Sequence, residues 1–236
     1  MKLDKVTITG ADDSVSPKDL VEISKEFPFV EWGILLSKKN MGSNRFPSGK
    51  WLDELSDIKE NSNLKLSCHV CGKWMIDIRS GIWSIIDEVG DSLKIFDRIQ
   101  INFGSTISDM NSSEMLQGLK KINHNFQYIF QIKNPSHITI VDLFRYSGID
   151  CVPLFDASGG AGVLPESWPK YPGYYSGYAG GLSPANIEKQ LKSIESVVQD
   201  NTIWIDVESK VRSNNDIIFD LEKVRLFLER TRSRVV

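Results

Sequence analysis

Cysteine and histidine are scarce, with 3 of each in 236 residues. The cysteines, Cys68, Cys71 and Cys151, are odd in number and follow no secretory leader. A disulfide framework is therefore not expected, and a reducing compartment is. Cys68 and Cys71 form a C-x-x-C pair, but structural zinc takes about four donors. Only Cys151, His124 and His137 remain to complete a set, so no metal is expected. Long apolar runs are also missing: none approaches the roughly 20 residues that span a bilayer. The opening stretch MKLDKVTITG is too short and too charged for a signal peptide. A cytoplasmic protein with no membrane contact is expected. Neither sign of charge dominates: 28 Lys and Arg against 31 Asp and Glu leave a net charge of -3. The isoelectric point near 5.7 argues against a broad nucleic-acid surface. No fixed-period repeat, low-complexity tract or linker interrupts the chain. One domain over 1–236 is the expectation, while monomer and homodimer are not distinguished.

Short apolar runs alternate with longer amphipathic ones. Strands are expected at Val6–Thr9, Val30–Ser37, Leu64–Val70, Arg98–Phe103, Tyr128–Ile132, Cys151–Phe155, Tyr174–Ala179 and Ile203–Val207. The second is apolar almost throughout, as in a strand covered on both faces. Helical spacing falls between them. One helix begins near Pro17, capped by Asp13 or Ser14. Others carry Trp51 to Ile58, Gly81–Val89, the run from Met115 capped by Ser112 or Ser113, Ile138–Tyr146 with Gly148 at its end, and Leu221–Leu228. Ser183-Pro184 reads as N-cap and first residue of the helix after strand seven. Eight strand-then-helix units fill the chain, which predicts an α/β fold, a single (β/α)8 TIM barrel.

In such a barrel the chemistry sits at the C-terminal ends of the strands. Those ends are polar or glycine-rich here. Gly180-Gly181 followed by a helix start makes an anion cradle, and Ser209 and Lys210 lie in the partner loop after strand eight. Asp156 ends strand six before a glycine-rich stretch with Gly159 and Gly160. It is placed to act as general acid, or to turn its own loop. His69 is a candidate proton shuttle and Asp12 an alternative base. Asn102, Gln131, Asp206 and Arg212 are further candidate substrate contacts, with Asp206 also able to hold Lys210 or Arg212. Cys68 and Cys71 read as small core residues. Trp168, Tyr171 and Tyr175 are aromatics able to cover an organic ligand.

The stretch Phe155-Asp156-Ala157-Ser158-Gly159-Gly160-Ala161-Gly162 resembles phosphoribosylanthranilate isomerases, which carry a strand-six Asp before a Gly-Gly-Thr-Gly loop. Ala179-Gly180-Gly181-Leu182-Ser183-Pro184-Ala185-Asn186-Ile187 resembles their Ala-Gly-Gly-Leu-Asn-Pro-x-Asn-Val. Ile205-Asp206-Val207-Glu208-Ser209 resembles their Val-Asp-Val-Ser-Ser, and Gln100-Ile101-Asn102-Phe103-Gly104 their Gln-Leu-His-Gly. The blocks around His69-Val70-Cys71-Gly72 and Phe155–Gly162 also resemble a set of bacterial proteins that share both. The resemblance implies a phosphate-binding barrel for a phosphoribosyl-type ligand, held by Gly180, Gly181 and Ser209. It implies Asp156 as general acid in a cofactor-independent Amadori rearrangement. It also marks departures. Thr9 stands where the family has its basic Cys, Lys210 where it has Gly, and Arg212 where it has Glu. Lys38 or Arg45 stands in for the strand-two Arg.

The expected activity is thus binding and isomerisation of a small phosphorylated sugar or phosphoribosyl metabolite by acid/base chemistry. The alternatives are a true phosphoribosylanthranilate isomerase with a substituted base, and a barrel that binds without catalysing.

Overall fold

Eight parallel strands close into a barrel in chain order, each hydrogen-bonded to the next and the last to the first. The computed structural model describes residues 1–102, 110–122 and 126–236; Phe103, Gly104 and His124 lie outside them. The barrel strands are β1 (Lys2–Thr9), β2 (Val30–Ser37), β3 (Leu66–Cys71), β4 (Arg98–Asn102), β5 (Gln127–Ile132), β6 (Cys151–Phe155), β7 (Gly177–Ala179) and β8 (Thr202–Val207). Ring closure pairs Val6 with Ile205 and Thr7 with Asp206 across β1 and β8. Among the described residues the helices are α1 (Pro17–Glu26), α2 (Gly49–Lys59), α3 (Gly72–Arg79), α4 (Ser84–Val89), α5 (Ser112–Lys121), α6 (Ile138–Tyr146), α7 (Ile187–Val198) and α8 (Leu221–Thr231). A small hairpin, β9 (Arg212–Ser213) and β10 (Ile218–Phe219), follows β8.

The expected one-to-one alternation is broken in two places. Both α3 and α4 follow β3, because Gly81 at φ 74° ends the first of them. The segment between β6 and β7 contains no helix among its described residues. Strand seven is also shorter than expected, since Tyr174–Ser176 stand outside it.

Several helix starts differ from expectation by a few residues. The N-cap of α1 is Ser16, which shares a reciprocal capping box with Asp19, not Asp13 or Ser14. Asn111, not Ser112 or Ser113, caps α5. Ser183-Pro184 does not open α7; it forms a turn in which Asn186 Oδ1 accepts from Ser183 N, and the helix begins at Ile187. Gly148 follows the C-cap of α6 at φ 85°, the left-handed position expected there.

The main apolar core lies between strands and helices, with Ile8, Trp32, Leu36, Val70, Ile101, Phe130, Tyr178 and Phe227 among its members. The barrel interior is divided. On the β5–β8 side it is apolar, filled by Ile129, Val152, Leu154, Ala179 and Trp204. Trp204 lies flat against Gly177, where a Cβ would come within 2.3 Å of the indole. On the β1–β4 side the interior is charged. Arg98 pairs with Glu31, Thr7 Oγ1 donates to Glu31 at 2.8 Å, and the Arg98 guanidinium sits 4.6 Å from the Trp204 ring centroid. Tyr175 closes the opposite end of the barrel: it stacks on Trp204 and donates to Asp4. It therefore does not cover a ligand at the mouth.

Candidate active site

The C-terminal mouth holds a partly open cavity of about 40 Å³. Of the residues singled out from sequence, His69, Gln131, Asp156, Gly160, Gly180, Gly181, Asp206, Ser209 and Lys210 line it. Gln100 and Glu208 line it too. Gln100 was not among the candidate contacts, because only the pairing register tells which residues of β4 point inward; Glu208 lies beyond the end of β8, in the same loop as Ser209 and Lys210.

Asp156 leaves β6 buried, with 4% of its surface exposed. It accepts from Gln131 Nε2 at 2.7 Å, Gly160 N at 2.7 Å, Ser158 Oγ at 2.6 Å and Ser158 N at 3.1 Å. It thus both lines the cavity and folds the glycine loop back over the mouth. Gly180 makes room for it: a Cβ there would stand 2.9 Å from Asp156 Oδ1.

Gly180 and Gly181 adopt φ 105° and 67°, a region open to glycine and strained for other residues. Their N–H groups donate to no acceptor among the described residues. The backbone of Val163 and Leu164 crosses directly above, and a Cβ on Gly181 would meet Leu164 N at 2.4 Å. Lys210 is exposed and forms no ion pair among the described residues. The cradle has its donors in place, under a cover.

Across the cavity, Thr9 Oγ1 donates to Asp206 Oδ1 at 2.8 Å, and Asp206 Oδ2 stands 3.9 Å from His69 Nε2. Asp206 therefore holds neither Lys210 nor Arg212. Burial, reinforced by Glu208, Glu31 and Asp156, pushes the Asp206 carboxyl well above the usual carboxylate range, against the opposing Thr9 hydrogen bond. Burial lowers His69 to about 3, with Glu31 opposing and Arg98 adding to the effect. Both shifts favour the uncharged form of the group concerned.

Four of the expected contacts lie elsewhere. Asp12 is not in the cavity lining: it accepts from Arg212 Nη2 at 2.6 Å, Arg45 N at 2.6 Å and Ser14 Oγ at 2.5 Å. A carboxylate so tied is a clamp between the loops after β1, β2 and β8, and not an available base. Arg212 is its buried partner and also donates to Gly10 O. The positive charge it adds is spent on Asp12 and Asp216. Asn102 stands behind the lining, where Oδ1 accepts from Gln100 at 3.1 Å and Nδ2 contacts Cys71 Sγ. Gly159 faces Lys133 instead of the cavity.

Of the two strand-two substitutes, Lys38 turns away to Glu88, whereas Arg45 reaches Glu208 at 2.6 Å. Glu208 is pushed up by burial, with Arg45 opposing. Cys68 is buried, Cys71 is raised to about 12 by burial, and neither is a thiolate nucleophile at neutral pH. Trp168 packs edge-on against Tyr178 and donates to Gln190 at 3.0 Å, which pins the far end of the covering loop.

A family profile described as N-(5'-phosphoribosyl)anthranilate (PRA) isomerase matches residues 109–230, slightly more than half of the chain. The chain belongs to the PRA isomerase family. The matched span includes β6, the glycine loop, the cradle and the β8 loop, which are the parts of the mouth described above. The PRA isomerase from Pyrococcus furiosus is similar in fold, with a TM-score of 0.58 at 20% identity over 97% of this chain and 98% of that one. The Thermotoga maritima enzyme gives 0.58 at 14% identity, again over 97% and 98%. A third, at 0.58 and 15% identity over the same shares, is a PRA isomerase in complex with reduced 1-(o-carboxyphenylamino)-1-deoxyribulose 5-phosphate. At these identities the structures show a shared barrel. No curated protein matches the sequence. Among the described residues of this PRA isomerase relative, no helix is long and apolar enough to cross a membrane.

Proposed function

We propose that this barrel binds a phosphorylated sugar or phosphoribosyl metabolite and isomerises it by acid/base chemistry, as a soluble enzyme of the cytoplasm. The observation that carries the reading is the pair of unpartnered N–H groups at Gly180 and Gly181, beside Ser209, Lys210 and Asp156. Backbone donors with a hydroxyl and an ammonium are what a phosphate dianion requires. An aldose-amine to ketose-amine rearrangement of the Amadori type moves protons within one molecule and needs no external oxidant or reductant. Asp156 then serves as the acid once its loop opens and its present donors are released.

The 40 Å³ at the mouth has room for a few waters at most, since one water takes roughly 10–15 Å³. Binding therefore begins with displacement of the loop over Gly180 and Gly181. Thermal-shift titration with ribose 5-phosphate tests the reading, because a ligand that binds only the folded state raises Tm. Wild type and the remote control Lys120→Glu should respond alike, and Lys210→Glu should lose the shift. An equal shift in all three would overturn it.

A second reading is favoured by one observation. The Thr9 hydroxyl is committed to Asp206 and supplies no base, as in a barrel that binds without catalysing. Conversion of the bound sugar phosphate, followed by NMR, separates the two.

A further inference from the structure

His69 Nε2 is buried and has no hydrogen-bond partner. It lines the mouth cavity together with Asp206. The 3.9 Å between it and Asp206 Oδ2 is too long for a hydrogen bond. It is also the right width for one oxygen atom placed to the side, at about 2.8 Å from each.

The gap is held open from three directions. Thr9 anchors the other carboxyl oxygen at 2.8 Å and so fixes which edge of Asp206 faces His69. Gly33 on β2 supplies the space: a Cβ there would stand 2.1 Å from Thr9 Oγ1 and 3.0 Å from His69 Nε2. Beside them, Gln100 Oε1 is a second buried cavity-lining atom without a partner. A buried polar atom left unpaired is costly, and two of them along one wall mark a place where a polar ligand group completes the set.

We infer that a substrate hydroxyl seats between Asp206 Oδ2 and His69 Nε2, touching both. The inference rests on the phosphorylated-sugar reading above and names which part of the sugar the opposite wall receives. A hydroxyl both donates and accepts. It hydrogen-bonds to both sides of the gap whichever of Asp206 and His69 carries the shared proton, donating to one and accepting from the other. A carbonyl accepts without donating and an ammonium donates without accepting, so each leaves one side of the gap unpaired. In a rearrangement that shifts a carbonyl between carbons 1 and 2, the hydroxyl that must be held is the one on carbon 2. Thr9 and Gly33 act as positioning residues.

The test compares ribose 5-phosphate, 2-deoxyribose 5-phosphate, inorganic phosphate and free ribose by calorimetric titration. Wild type should prefer ribose 5-phosphate to its 2-deoxy analogue by about tenfold or more. His69→Leu should bring that ratio near one while leaving inorganic phosphate affinity unchanged, which also certifies the fold. Asp206→Asn keeps a donor of the same shape and should retain most of the preference, whereas Asp206→Leu should lose it. A ratio near one in wild type, or a preference that survives His69→Leu, overturns the subsite and leaves the phosphate site standing. Equal affinity for ribose 5-phosphate and free ribose, both above 2-deoxyribose 5-phosphate and with no binding of inorganic phosphate, supports the subsite and overturns the phosphate reading. Binding of none of the four overturns both.

Discussion

Gly162, in the loop after β6, lies against Ser209, in the loop after β8: a Cβ on Gly162 would come within 2.9 Å of the Ser209 hydroxyl oxygen. The cover of the site and its anion-binding floor are thus in direct contact. Gly162 also donates to Ser158 Oγ at 3.1 Å, and Ser158 in turn donates to Asp156. Displacing the cover would therefore disturb the carboxylate proposed as acid, so on the proposed reading phosphate binding would also expose Asp156.

The loop is fastened chiefly at Asp156, which gives a first prediction. Asp156→Ala removes the acceptor for Ser158 and Gly160, and the segment 157–164 should be cleaved at least several-fold faster in limited proteolysis. Barrel stability should fall by no more than about 1–3 kcal/mol, the cost of leaving those donors unpaired. Unchanged cleavage would show that the remaining contacts, Gly162 against Ser209 and Trp168 to Gln190, retain the loop.

Gly181 tests the cradle from below. Gly181→Ala places a methyl on a backbone at φ 67° and against Leu164 N. Strain of this kind costs roughly 1–3 kcal/mol, or about 2–4 °C in Tm per kcal/mol for a chain of this size. The variant should melt lower by several degrees and should no longer respond to phosphate compounds. Gly160→Ala, with φ 93° but open space around its Cβ, should melt closer to wild type.

The buried pair inside the barrel carries a pH dependence of known sign. Burial raises the Glu31 carboxyl, but Arg98 and Thr7 outweigh it and the net shift is downward. A depressed carboxylate contributes stability that is present above its ordinary range and lost as pH falls through the folded value. Glu31→Ala leaves Arg98 charged and unpaired and should destabilise by about 3–5 kcal/mol near neutral pH. Denaturant unfolding should show the difference shrinking toward acid. A loss below about 1 kcal/mol would mean that Trp204 alone supports the guanidinium.

His69 acts in the same acid range for the opposite reason. Its folded value near 3 lies below the ordinary 6.5, so the unfolded chain takes up the proton first. Stability should fall by up to about 1.4 kcal/mol for each pH unit below 6.5 from this group alone. His69→Gln should flatten the curve between pH 6.5 and 4 in parallel denaturation series. Parallel curves for variant and wild type would place the acid sensitivity elsewhere.

The barrel was legible because its strands announce themselves. Cys151–Phe155 runs apolar from end to end and Val30–Ser37 nearly so, and their observed limits coincide with those runs. The turn after β7 was legible in its glycine pair, which takes up positive φ at Gly180 and Gly181, but the helix start was misplaced, since Ser183-Pro184 forms a turn and α7 begins at Ile187. Helix caps were less so, since Asp13, Ser14 and Ser16 are chemically equivalent choices, and only the return bond from Asp19 selects the last. The fate of Asp12 was not legible at all. Its partner Arg212 is 200 residues away, and nothing local distinguishes a free carboxylate at a strand end from a clamped one. Gln100 was hidden likewise, because inward and outward residues of a doubly covered strand are both buried.

The helixless connection from β6 to β7 has a further consequence for how this barrel can vary. Beyond its bonds to Asp156 at the mouth, it is anchored by Trp168 to Gln190, and Tyr174 donates to Asp142 at 2.7 Å, so its far half is fixed to the outer wall. Between such anchors, doubling a flexible loop adds only about 0.6 kcal/mol of closure entropy. Residues can be inserted or removed there without shifting the strand register, whereas the same change within β6 would turn every inward side chain outward. The segment that decides which molecules reach the mouth is thereby the one most free to diverge, while the charges beneath it stay locked by the barrel.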